Sequence, residues 1–155
     1  MKPTRRQLSL CAAAMMLPAS PVFSRAMSDL KSLRIPGVQA FVYRDESTLP
    51  LNQATTELAN DFKAQGATQG VDGQTLAADA STSDAAIAKA VDGLLGSDWQ
   101  RRSGWAASSP KVQLMVWERK TAPKRFYAIA AYQDVHTATD GRKYRPLESV
   151  FTRER

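Results

Sequence analysis

The chain has 155 residues, with 21 Lys or Arg against 15 Asp or Glu, one cysteine and one histidine. A single cysteine and a single histidine exclude an internal disulfide framework and the multi-ligand zinc sites that need several such side chains. The net charge of +6 takes its meaning from where the charges fall, and a good part of it lies at the N-terminus.

Met1 to Arg6 (MKPTRR) precedes an apolar run from Leu8 to Leu17, followed by Pro18 and a small-residue stretch ending at Ala26. A charged start, a short apolar middle and a small-residue end are the three parts of a secretory signal. A ten-residue run reaches only about 15 Å as a helix, against the roughly 30 Å hydrocarbon core of a membrane, so it is read as a removable segment and not an anchor. Cleavage after Ser24 or Ala26 leaves a small residue at the cut. The expected organisation is a signal over 1–26 and one α+β domain over 27–155. Thr4, Arg5, Arg6, Gln7 and Leu8 resemble the twin-arginine type of signal, which implies export to the periplasm or beyond, with Arg5 and Arg6 as the address. Cys11 lies inside the apolar run, the wrong order for lipid attachment. Removal of Lys2, Arg5, Arg6 and Arg25 takes the basic count from 21 to 17 against 15 acidic residues, a net of +2. Nucleic acid is therefore not an expected partner.

In the remainder, residues 27–36 form a lead-in closed by Pro36, and Gly37–Arg44 reads as a strand followed by a loop over 45–50. Leu51, Ala54, Leu58 and Phe62 recur at helical spacing and Gly66 ends that pattern. Residues 66–80 are Gly-rich and weakly patterned, a long connection with room for a short strand near Thr75–Ala77. A second helix opens at Ser81, with Asp84 three residues on as a capping box, and runs through Ile87, Val91 and Leu94 or Leu95 to Gly96. From Lys111 the period changes to that of strands: Lys111–Arg119, Arg125–Val135 and Arg142–Thr152. Asp140–Gly141 is the signature of a two-residue type I′ hairpin. The expected fold is α+β in the order β-α-α-β-β-β, a C-terminal antiparallel meander of three strands, joined by the first to make four, with two helices packed on one face.

Chemistry-bearing motifs are sparse. Asp134 and His136 are two apart and would share a strand face, but two ligands on a solvated hairpin make no metal site, and no metal or cofactor is expected. No nucleophile elbow or phosphate-binding loop occurs. Glu118, Asp134 and Glu148 on neighbouring strands are the acid/base candidates if the domain is a carboxylate-dependent enzyme, which requires two of them to converge on one cleft. Trp99 and Trp105 flank Arg101 and Arg102; large apolar residues usually cover a core, and the alternative is an aromatic contact surface for a sugar, a base or a partner side chain.

Charge divides the domain. Residues 27–98 carry 5 basic and 10 acidic groups, and residues 99–155 carry 12 and 5. With Asp140 and Gly141 as the turn, Thr139 opposes Arg142, Arg153 opposes Ala128 and Arg155 opposes Phe126. Arg119, Lys120, Lys124, Arg125, Arg153 and Arg155 then gather at one end of the sheet. Pro146 marks the last strand as an edge, whose cations either guard it against aggregation or meet an anionic partner. The expected function is a small exported binding protein without catalysis, of accessory, inhibitor or immunity type, contacting a protein or an anionic envelope component. The alternatives are the carboxylate enzyme and an exported cofactor carrier.

Overall fold

The computed structural model describes residues 29–41 and 48–154. The expected signal with Arg5 and Arg6, the end of the first expected strand, and Arg155 lie outside them. After a single 3-10 turn (Leu30–Ser32), the order is β1 (Val38–Ala40), α1 (Leu49–Ala64), β2 (Val71–Asp79), α2 (Asp84–Leu95), β3 (Trp99–Arg102), β4 (Val112–Arg119), β5 (Phe126–Tyr132), β6 (His136–Thr137) and β7 (Lys143–Thr152). Among the described residues no helix is long and apolar enough to cross a membrane.

The class is α+β with an antiparallel sheet, but the described residues form seven strands, in the order β1-β2-β7-β5-β4-β3 with β6 beside β7. The Gly-rich connection contains β2, nine residues long and paired with β7 along its whole length from Val71↔Thr152 to Asp79↔Tyr144. The stretch around Trp99 forms β3, paired to β4. Neither has a strong intrinsic strand preference; pairing with a long neighbour imposes the conformation.

The helices lie on opposite faces, not on one. Helix α1 buries Leu51, Ala54, Leu58 and Phe62 against Val112, Leu114, Val116, Phe126, Ala128, Ala130 and Val150. Helix α2 and the 3-10 turn bury Ile87, Ala88, Val91, Leu95 and Leu30 against Met115, Trp117, Tyr127, Ile129, Leu147 and Phe151. Every residue of β5 is consequently buried, which is the pattern of a strand covered on both sides. The cap of α2 is Ser83, whose Oγ accepts from Ala86 N–H at 3.1 Å, and not Ser81. Arg145, only 7 % exposed, ties this helix start to the sheet: its Nη1 lies 2.8 Å from Asp84 Oδ1 and its Nη2 donates to Thr82 O at 2.7 Å.

The last hairpin departs from its expected register. Ala138 N–H donates to Arg142 O at 2.8 Å and Gly141 N–H to Ala138 O at 2.9 Å, so the loop has three residues, Thr139 to Gly141. Gly141 has φ +83°, and no described non-glycine residue has positive φ, which excludes the type I′ turn and leaves a type I turn closed by a left-handed residue. Beyond it, His136 faces Tyr144 whereas Ala131 faces Leu147; residues 133–135 step out of the ladder. Ala128 therefore faces Val150, not Arg153.

Nor is β7 an edge: it lies between β2 and β5. Pro146 is tolerated there for a local reason. Arg153 N–H donates to Gly70 O and Ala80 N–H to Lys143 O, so odd-numbered positions of β7 bond to β2. Pro146 turns its hydrogen-free nitrogen the other way, into the break between the Ala131↔Leu147 pair and β6, where no ladder bond is lost.

Candidate functional site

The antiparallel ladder brings the cationic residues to one end. Arg119 N–H donates to Arg125 O at 2.9 Å, which closes the β4–β5 tip, and continuation of the β5–β7 register places Arg153 level with Arg125. Arg119, Lys120, Lys124, Arg125 and Arg153 thus share this end. Several are matched by acids. Lys124 Nζ lies 2.9 Å from Glu118 Oε1 and Arg102 Nε 3.3 Å from Glu118 Oε2; Arg153 Nη2 lies 2.7 Å from Asp72 Oδ1. Lys120 Nζ donates to Ser97 O at 2.7 Å. Ion pairs with a solvated partner contribute about 0–1 kcal/mol each and leave most of a cation's donors in water.

Arg125 differs from its neighbours. It is 8 % exposed, its guanidinium carbon stands 6.0 Å from the centre of the Trp99 ring, and its Nη1 lies 3.1 Å from Glu154 Oε1. Its Nε and Nη2 are buried without a hydrogen-bond partner. Unpaired buried donors on a charged group are costly, and a guanidinium edge of this kind matches the two oxygens of a carboxylate or phosphate. Arg125 lines a recess of about 250 Å³ together with Lys31, Phe151, Arg153 and Glu154.

Other sequence candidates are dispersed. Trp99 packs with the α2 layer, while Trp105 packs with the α1 layer, edge-on to Phe62 with ring centres 5.6 Å apart. The sheet separates them, so they form no common platform. A second groove, of about 460 Å³, joins Trp99 to Asp92, Arg101 and Trp117. There Asp92 accepts from Trp117 Nε1 at 2.6 Å and pairs with Arg101.

Glu118 is held at the basic tip, Asp134 lies in the break before β6 and pairs with Lys111 at 2.9 Å, and Glu148 faces α1. Glu118 and Glu148 are separated by two inter-strand spacings and four residues along the strands, about 16 Å at ordinary sheet dimensions. Asp134 falls outside the strand that carries His136, so the shared face expected for the two is not formed. His136 instead sits between Tyr132 and Tyr144, edge-on to the first and tilted to the second, with ring centres 5.6 and 5.8 Å away. Among the described residues no three His, Cys, Asp or Glu side chains come together as a metal site would need.

The recess at Arg125 and a groove at Glu148 were not legible in the sequence, since both depend on the full length of β2, of which the sequence shows only the part near Thr75–Ala77. In the Glu148 groove, α1 faces β2 and β7 across about 410 Å³ lined by Thr55, Asn60, Lys63, Gly73, Thr75 and Glu148. Burial pushes the Glu148 carboxyl above its ordinary range, and a hydrogen bond with Thr55 opposes this in part. No protein-family model matches the chain, and no curated protein or solved structure matches it either.

Proposed function

We propose that the chain is a small exported binding protein without catalysis, which holds an anionic group of a protein or envelope partner at the basic end of its sheet. The observation that carries this reading is Arg125, buried and with two guanidinium nitrogens unpartnered. An incoming carboxylate or phosphate displaces Glu154, the exposed member of the Arg125 pair, and takes up the second guanidinium edge, while Lys124 and Arg153 at the rim attract it from a distance. Export rests on the resemblance of Thr4–Leu8 to a twin-arginine signal, and the domain over 27–155 is the part that acts. An acid/base mechanism would need two carboxylates on one cleft, and Glu118, Asp134 and Glu148 occupy three separate places.

Binding of the purified protein to vesicles containing an anionic phospholipid, or to an immobilised acidic peptide, tests the reading. Affinity should fall steeply with added salt, fall again when Lys124, Arg125, Arg153 and Arg155 become glutamine, and rise when Glu154 alone becomes glutamine. A quadruple variant that binds as before would overturn it. Replacing Arg5 and Arg6 by lysine should leave precursor in the cytoplasm; normal processing would remove the twin-arginine part.

A further inference from the structure

The groove between α1 and the β2–β7 pair lies on the face of the sheet opposite Arg125, and its hydrogen-bonding character is one-sided. Thr56 donates its hydroxyl hydrogen to Asn52 O at 2.9 Å, and the single hydroxyl hydrogen of Thr55 is shared between Asn52 O, at 3.0 Å, and the Glu148 carboxylate. A hydroxyl has one hydrogen and two lone pairs, so these oxygens offer the groove only lone pairs. Glu148 stands half-buried across from them, beside Thr75 in the β2–β7 register, and an ionised carboxylate is likewise an acceptor only. Gly73, further along β2, leaves the floor free of a side chain. The donors of the groove are at its other end: Asn60 and Lys63 follow Thr55 on α1 by five and eight residues, about 7.5 and 12 Å at 1.5 Å per residue.

We infer that this groove binds a linear ligand headed by a primary ammonium group with carbonyl acceptors behind it, the chemistry of a short peptide with a free α-amino terminus. The ammonium sits among Glu148, Thr55 and Thr56, and the carbonyls reach Asn60 and Lys63. An ammonium fits better than a guanidinium, because the acceptors come from three side chains on two elements and not from one flat carboxylate edge. Three extended residues span about 10 Å, which matches the distance from the acceptor end to the donor end, and the groove volume lies within the usual range for small-molecule sites. The ligand cation favours the ionised form of Glu148, so binding weakens as pH falls through the raised titration range of that group. The other charged residues lining the groove are Lys63 on α1 and Asp72 on β2, whose carboxylate is paired with Arg153; Glu148 faces the uncharged Ala130 on β5.

The test is an amide-resolved NMR titration of the full chain with tri-alanine and, separately, with N-acetyl-tri-alanine. Tri-alanine at millimolar concentration should shift the amides of Thr55, Thr75 and Glu148, with at least a tenfold weaker affinity for the acetylated peptide and for Glu148→Gln. Thr56→Ala, at an exposed helix position, provides the second variant if Glu148→Gln does not fold, and should weaken binding severalfold. Equal affinity for the two peptides, unchanged binding by a folded variant, or no groove shifts at 20 mM peptide would overturn the inference. The peptides, Glu148→Gln and Thr56→Ala leave the anion site untouched, since its buried Arg125 lies at the other face beside Trp99.

Discussion

Gly93 and Gly141 both stand in open space, with nothing within 4 Å of where a Cβ would sit, yet alanine at the two positions should move stability in opposite directions. Gly93 lies in the last turn of α2, where alanine is favoured over glycine by about 0.8–1.0 kcal/mol in a helix interior and by a little less this close to the end. Gly141 has φ +83°. Forcing alanine into that left-handed conformation costs about 1–2 kcal/mol, offset by about 0.4–1 kcal/mol from the lower entropy of the unfolded chain. The net expectation is a gain of roughly 0.7 kcal/mol for Gly93→Ala and a loss of roughly 0.8 for Gly141→Ala, a separation of about 6 °C in unfolding midpoint for a chain of this size. Urea titrations with unchanged slopes measure both. Gly141→Asn should recover part of the loss, since asparagine tolerates the left-handed region. A neutral or stabilising Gly141→Ala would refute the three-residue turn, and a destabilising Gly93→Ala would refute the assignment of residues 84–95 to one exposed-faced helix.

Glu148 gives a pH-dependent effect. Its folded-state pKa is raised by burial above the ordinary 4.5, so the folded protein holds the extra proton. Its contribution is fully present below pH 4.5 and is lost as pH rises through the folded value. Glu148→Gln should accordingly raise the unfolding midpoint at pH 7 and lose that advantage at pH 4, as read by parallel urea melts. Asp92→Ala removes the acceptor of the Trp117 indole N–H and should cost about 1–3 kcal/mol, with a changed near-ultraviolet circular dichroism band as the local marker. Arg145→Met should cost about 2 kcal/mol, discounted because Asp84 is partly exposed, and hydrogen exchange should quicken first in the opening turn of α2.

Much of the architecture was written in local patterns. The 3.6-residue spacing of Leu51, Ala54, Leu58 and Phe62 gives the buried face of α1, and the strands from Lys111 onward follow from β-branched and aromatic runs. The number of layers was also present, in Phe126–Tyr132, which has no polar residue at alternate positions; a strand exposed on one face would have them. Its small residues are divided between the two layers, Ala128 and Ala130 in the core under α1 and Ala131 in the core under α2. Beyond the short strand expected near Thr75–Ala77, the length of β2 was hidden because Asp72, Gly73 and Gln74 are poor strand formers whose conformation is settled by a partner more than 60 residues away. The gathering of Arg119 to Arg125 at one tip needed only a hairpin and was legible. Placing Arg153 beside Arg125 with the right neighbours needed the step at residues 133–135, which no local rule announces.

The position of β7 has a consequence for how the domain comes into being. This strand follows every other described element in the chain, yet among the described residues it is the only strand that joins the β1–β2 ribbon to the β5–β4–β3 ribbon. A nascent chain that lacks it holds two half-sheets, each with an unpaired inner edge, and the pairs that must close between β2 and β7 bridge loops of 64 to 80 residues. Such distant closures are slow to form, and open edges of this kind are where chains stick to one another. The interval between synthesis of β6 and docking of β7 is therefore the period in which the protein is most exposed to misassembly, and any factor that shields the inner edges of β2 and β5 during it would raise the yield of folded protein without altering its final stability.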